Sequence, residues 1–268
     1  MSAATSAPAL DISGTRPTPF WRLVLVELRK SYDTRAGFWL LFTIGLLIAL
    51  LQVVSLVAFL LQDYFVSFTD FTGNVWLVSL VLIPMLPILL VTTEWSQRTG
   101  MVTFAIEPQR LRVILAKLAV AVLLALAAVV LMFAVAILCT AVADLLQPDR
   151  TEWRVEAEFV FLGAPLTVLV TTVFGFAVAC MLLNTPAAIV LFLLAWYASV
   201  GIFAAVAGLI PAFADVFPWI TLQINVLLLA DGLPEDAEAW GQLVVSLGFW
   251  IVLPLGVGLW RIVNAEVK

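Results

Sequence analysis

The sequence predicts an all-α membrane protein: an N-terminal interfacial amphipathic helix, six transmembrane helices, and an extra outer-face helix, re-entrant or interfacial, before the last span. Three observations carry that expectation. Hydrophobic residues make up 64% of the 268 residues and charged ones only 12%, with a mean hydropathy of +1.14, whereas a soluble domain carries roughly a quarter charged residues. Several apolar runs reach the roughly 20 residues that a helix rising about 1.5 Å per residue needs to cross about 30 Å of hydrocarbon. The alternating segments of about ten residues that mark a transmembrane barrel do not occur in it.

The Ala-, Ser-, Thr- and Pro-rich residues 1–17 lack an apolar core and read as a flexible cytoplasmic tail rather than a signal peptide. Thr18 then reads as an N-cap with Pro19 at the first helical position. The 18–36 segment that they open places Phe20, Val24 and Leu28 on one stripe with Trp21, Leu25 and Tyr32 beside it. Arg22, Glu27, Arg29, Lys30 and Asp33 form the polar remainder, the pattern of a helix lying at the membrane surface.

The transmembrane domain is expected over 37–260, with spans near 37–61, 75–93, 118–143, 159–183, 187–210 and 242–260 and a short tail at 261–268. Pro84 and Pro87 should kink the second span by removing backbone donors. Asn184-Thr185-Pro186 is the whole connection between the fourth and fifth, so those two must be antiparallel neighbours, with Thr185 and Pro186 as the helix start. Between the fifth and sixth, 211–241 is too long for a turn, while its apolar core ITLQINVLLLA is too short to span.

Charge fixes the expected orientation. Of 13 basic residues, Arg16, Arg22, Arg29, Lys30, Arg35, Arg98, Arg110, Arg112, Lys117, Arg261 and Lys268 all fall on one side if both termini face the cytoplasm. Arg150 and Arg154 lie in an acidic loop on the other side. A multi-pass protein of the inner (plasma) membrane follows as the expectation. Cys139 and Cys180 sit in apolar runs, as small buried hydrophobes do; helices running in opposite directions would hold them on the order of 20–30 Å apart, too far for a disulfide. Gly175 with Ala179, and Ala204 with Gly208, have the four-residue spacing that permits close helix approach.

Several chemistries are excluded. The chain has no histidine, which removes Ser-His proteases, His-ligated metal sites and haem bundles. No predicted span holds Asp, Glu, Lys or Arg in its interior, with Glu94 at the inner end of the second, so the buried carboxylates of an intramembrane protease and the relay of an ion-coupled transporter are not supplied. A phosphate-binding loop needs Gly-Lys-Ser/Thr, yet Lys30, Lys117 and Lys268 follow Arg, Ala and Val. No catalytic, cofactor or metal site is expected.

The loop 94–117, EWSQRTGMVTFAIEPQRLRVILAK, is the one long polar and basic segment between two apolar runs. Its Glu94-Trp95, then Thr99, then Pro108, Arg110, Arg112 and Lys117 resemble the cytoplasmic loop of type-2 ATP-binding-cassette (ABC) exporter permeases. Glu27-Leu28-Arg29-Lys30 with Thr34-Arg35 resembles the helix that precedes the first span in that family, and the topology is similar over the whole chain. In one respect it departs: Arg98 precedes Thr99 and Gly100 follows it, where many members have Gly before the Thr.

The resemblance implies a permease subunit that is not itself an enzyme. It would pair with an identical or related permease and dock an ABC ATPase subunit, which holds the ATP and Mg. Glu94, Trp95, Arg98, Thr99, Gly100, Met101, Thr103 and Phe104 would carry the coupling to that ATPase. Arg22, Glu27, Arg29, Lys30, Pro108, Arg110, Arg112 and Lys117 would support the loop and the interfacial helix, with Arg22, Arg29 or Lys30 as partner to Glu94. The basic residues also have an ordinary role as anchors at lipid headgroups. A span lining of Phe, Leu, Val, Trp and Thr fits a hydrophobic or amphipathic cargo such as a drug, peptide antibiotic or lipid. The competing expectation is a non-transporting membrane scaffold or immunity module that sequesters a lipid or peptide.

Overall fold

The computed structural model describes residues 18–62, 64–97, 107 and 109–264. Six of its helices are long and apolar enough to cross a membrane: Arg35–Leu61, Phe68–Ser96, Arg110–Leu146, Phe159–Leu182, Thr185–Leu209 and Ala237–Asn264. They are the first to sixth spans below. The chain is an all-α membrane protein, and a separate helix, Phe20–Asp33, precedes the first span.

Each span starts where local chemistry lets it. Ser67 caps the second: its hydroxyl accepts from the Asp70 amide while the Asp70 carboxylate accepts from the Ser67 amide at 2.8 Å, a reciprocal pair that satisfies two end donors. That pair moves the helix start to Phe68, well ahead of the expected 75. The same span breaks between Leu82 and Met85, at the predicted Pro84. The third begins at Arg110 rather than near 118, so Arg110, Arg112 and Lys117 are helical residues and not loop residues.

The fourth and fifth spans are antiparallel neighbours as the short connection requires, but the cap differs from the expected one. Asn184, not Thr185, caps the fifth, its Oδ1 accepting from the Ala187 amide at 3.0 Å, and Leu183 turns the chain with φ 54°. Thr18 likewise does not cap the first helix. Pro19 stands at that boundary and Phe20 is the first helical residue.

The second and fourth spans form the centre: 61% of the most apolar stretch of each is buried, against 22–28% for the other four. Trp76 donates its indole N–H to Thr167 Oγ1 at 2.7 Å, tying the two together. The sixth packs along the fourth so closely that a Cβ on Gly258 would lie 2.5 Å from the Cys180 carbonyl carbon. Phe174 of the fourth span contacts Trp196 and Trp250, each within a π-helical turn of the fifth or sixth span, with centroids 6.5 and 6.1 Å away. A smaller core of Phe59, Phe68, Phe71, Cys139 and Val160 closes one end of the bundle, where residues 66–67 pair in parallel with 151–152.

Between the fifth and sixth spans run three short helices, Pro211–Ala214, Phe217–Ile220 and Leu222–Leu228. Leu222 and Val226 of the last enter the main core, and the Asn225 amide donates to Pro218 O at 2.9 Å and Ser246 Oγ at 3.2 Å. The sixth span starts at Ala237, capped by Asp236, rather than near 242.

Cys139 and Cys180 are unpaired, buried and in separate clusters. The two small-residue pairs part company. Gly175 lies against Pro84 within this chain and Ala179 is buried, while Ala204 and Gly208 are exposed and a Cβ on Gly208 would meet nothing.

Candidate functional site

The end of the bundle that carries Glu94 holds a buried cluster of four charges. It begins on the helix Phe20–Asp33. Leu23, Val24, Glu27, Leu28, Lys30 and Ser31 are its enclosed or half-enclosed residues, while Phe20, Trp21, Leu25 and Tyr32 point outward. The face turned to the protein thus carries two residues of the apolar stripe, Val24 and Leu28, and leaves the third, Phe20, outside. Its one fully buried residue is a carboxylate, Glu27.

Lys30, one turn on, donates to Glu27 Oε1 at 2.7 Å and to Glu94 Oε1 at 2.8 Å. Lys117, in the second turn of the third span and 2% exposed, donates to Glu27 Oε2 at 2.5 Å and to Leu90 O at 3.2 Å, with Glu94 Oε1 3.1 Å away. Two carboxylates and two ammoniums thus alternate and sum to zero. Charge-assisted bonds of this length offset the several kcal/mol that each buried ion loses in desolvation. Glu94 lies in the last turn of its helix, where the backbone dipole opposes a negative charge. The two lysines answer that field. Burial pulls the Lys30 pKa down, but the hydrogen bonds and charges of Glu27 and Glu94 outweigh it and hold the ammonium above the ordinary 10.5.

Two features let the surface helix fold back here. Thr34 breaks the helix and its hydroxyl accepts from the Gly37 amide at 3.1 Å, starting the first span at Arg35. At Gly37 a Cβ would lie 2.0 Å from Ser31 O, so no other residue permits this elbow.

Of the expected partners to Glu94, Lys30 is the one that reaches it. Arg22 stacks on its neighbour Trp21, its guanidinium 5.4 Å from the ring centroid, and Arg29 is exposed. Lys117, read as a support residue or headgroup anchor at the mouth of a span, is instead the most buried member of the cluster, so one span does enclose a charge inside the protein.

The arginines at this end act on backbone carbonyls. Arg110 donates to Ile262 O at 2.7 Å and Arg261 to Met181 O at 2.9 Å, closing helix-end carbonyls of the sixth and fourth spans that have no acceptor role inside their own helices. Arg112 pairs with Glu107 at 3.3 Å and also donates to Thr18 O. Thr92 Oγ1 meets Thr185 Oγ1 at 2.7 Å, which fixes the end of the second span to the start of the fifth. Trp95 packs, half-buried, against the main core. Arg98, Thr99, Gly100, Met101, Thr103, Phe104 and Pro108 lie outside the described residues.

Sequence reasoning passed over Glu27 and Lys117 as partners. Ninety residues separate them, so no local pattern connects the two. The signal that was there is a lone lysine followed by a long apolar helix, since an ionisable residue on such a helix finds a partner inside the protein. No group of three or more Cys, Asp or Glu side chains that could hold a metal occurs among the described residues. Comparison with protein-family models gives no match to this chain, and comparison with curated proteins gives none either.

Proposed function

We propose that this chain is the membrane permease subunit of a type-2 ABC exporter, working as a dimer with an identical or related permease and driven by a separate ATPase subunit that binds ATP and Mg. The observation that carries the reading is the charge cluster. It joins the surface helix, the end of the second span and the start of the third, the two spans that flank segment 97–109. A partner pressing on that segment would move three elements as one lever. The segment's sequence resembles the family's coupling loop, and its basic surroundings fit a cytoplasmic face.

The exposed Trp21, Tyr32, Trp39 and Trp260 at this end fit a belt at headgroup level, with the surface helix lying in the interface. On this reading Leu222–Leu228 is a re-entrant helix on the outer side, and the cargo is hydrophobic or amphipathic.

The experiment pairs two measurements on co-expressed chain and ATPase in one lipid: co-purification of the ATPase, and cargo-stimulated ATP hydrolysis. The chain alone should hydrolyse no ATP. Glu94→Gln keeps the shape of the cluster but weakens its charge-assisted bonds, so docking should persist while transport-linked hydrolysis falls by about tenfold. Thr99 and Met101 replaced by bulky charged residues should weaken docking itself. Robust hydrolysis by the isolated chain defeats the assignment, and normal transport by Glu94→Gln defeats the lever.

A further inference from the structure

Beside the charge cluster lies a cavity of about 430 Å³, within the size range of small-molecule sites. Its wall joins Lys30, Glu94 and Lys117 to Leu86, Leu89 and Leu124. These two sets separate in space. The second span runs from Leu86 to Glu94 and the third, in the opposite sense, from Lys117 to Leu124, so at about 1.5 Å per residue both distal leucines sit roughly 10–12 Å from the charges, on the same side. The cavity is polar at one end and apolar along its length, and its apolar part runs between spans, in the part of the protein that hydrocarbon surrounds.

The hydrogen-bond inventory decides the sign of the polar end. The three N–H groups of Lys117 face three acceptors, Glu27, Glu94 and the Leu90 carbonyl. Lys30 has the same three donors but two acceptors, Glu27 and Glu94; its third has no partner among the described residues, and its side chain is 35% exposed. An ammonium N–H left open at the mouth of a neutral cluster calls for an acceptor, and most strongly for an anion.

We propose that this cavity is a binding site for a single-chain amphiphile whose phosphate or carboxylate head accepts from Lys30 and whose alkyl chain lies along Leu86, Leu89 and Leu124. The site does not rest on the permease reading, because it needs this chain alone.

The test is native mass spectrometry of the purified full chain in a non-ionic detergent, with oleoyl lysophosphatidate, oleate and uncharged monoolein as probes. One equivalent of an anionic probe should bind at least about tenfold more tightly than monoolein, the worth of one charge-assisted hydrogen bond. Lys30→Gln should bring the anionic probes down to the monoolein level. Leu89→Trp should weaken all three about tenfold by filling the space of the chain; Leu89 is half-buried and its side chain takes no part in the charge cluster, so this variant keeps the cluster whole. Comparing the phosphate and carboxylate probes identifies the preferred head. Equal binding of all three probes by the wild type, an anionic preference that survives Lys30→Gln, or undiminished binding by Leu89→Trp each overturns the proposal.

Discussion

Replacing Lys117 by Met removes the most enclosed charge of the cluster while keeping a straight apolar side chain of similar length. The lysine gives up bonds to Glu27 Oε2 and Leu90 O and a 3.1 Å contact with Glu94. Two carboxylates are then left sharing Lys30. Removing one partner of a buried ion pair costs about 3–5 kcal/mol; because Lys30 still reaches both carboxylates, the lower end, about 3 kcal/mol, is the expected loss. Lys30→Met removes an ammonium whose side chain is 35% exposed, so solvent screening limits that loss to about 1 kcal/mol. The double variant Glu27→Gln with Lys117→Met restores neutrality around the Lys30–Glu94 pair and should be more stable than Lys117→Met alone by about 1–2 kcal/mol. Equilibrium unfolding in mixed dodecylmaltoside and dodecyl sulfate micelles, followed by circular dichroism, measures all three together with Glu27→Gln alone. If Lys117→Met is no worse than Lys30→Met, or if the double variant shows the sum of its two single losses, the cluster is not a coupled unit and the reasoning fails.

Lys30 has a folded-state pKa raised above 10.5, so its contribution is fully present below 10.5 and is lost as pH rises through the raised value; the stability gap between wild type and Lys30→Met should close only in that alkaline window, read by the same unfolding titration. Gly258→Ala forces a Cβ to within 2.5 Å of the Cys180 backbone and should cost about 1–3 kcal/mol. Gly208→Ala meets open space in a helix and should be neutral or stabilising by up to about 1 kcal/mol; equal effects at the two glycines would refute the packing. Cys139 and Cys180 are both buried, so a water-soluble maleimide should label neither in the folded protein and both after unfolding.

Sequence alone determined the features that contiguous residues control. Six spans were legible because hydropathy over about 20 residues is a local sum. The break at Pro84 was legible because a missing amide acts on its own helix, and the pairing of the fourth and fifth spans because Leu183–Asn184 leaves the chain nowhere else to go. Span starts were less legible. Ser67, Arg110 and Asp236 extend helices through polar residues that hydropathy alone assigns to loops, and side-chain caps hold two of those ends.

Only the tertiary structure decided the site. Glu94 was visible as a carboxylate in need of a partner, but whether Arg22, Arg29 or Lys30 answers depends on the rotation of a helix whose one fully buried residue is Glu27. Hydrophobic periodicity shows the stripe but not its register against the bundle: Val24 and Leu28 are half-buried, while Phe20, Trp21, Leu25 and Tyr32 face outward. Gly175 and Gly208 show the same limit: one spacing, one residue type, and opposite surroundings. Lys117 meets Glu27 and Glu94 only because the surface helix, the second span and the third converge at one end of the bundle. A charge on an apolar helix states that it needs a counter-charge, while the packing of helices far apart in the chain decides which one it gets.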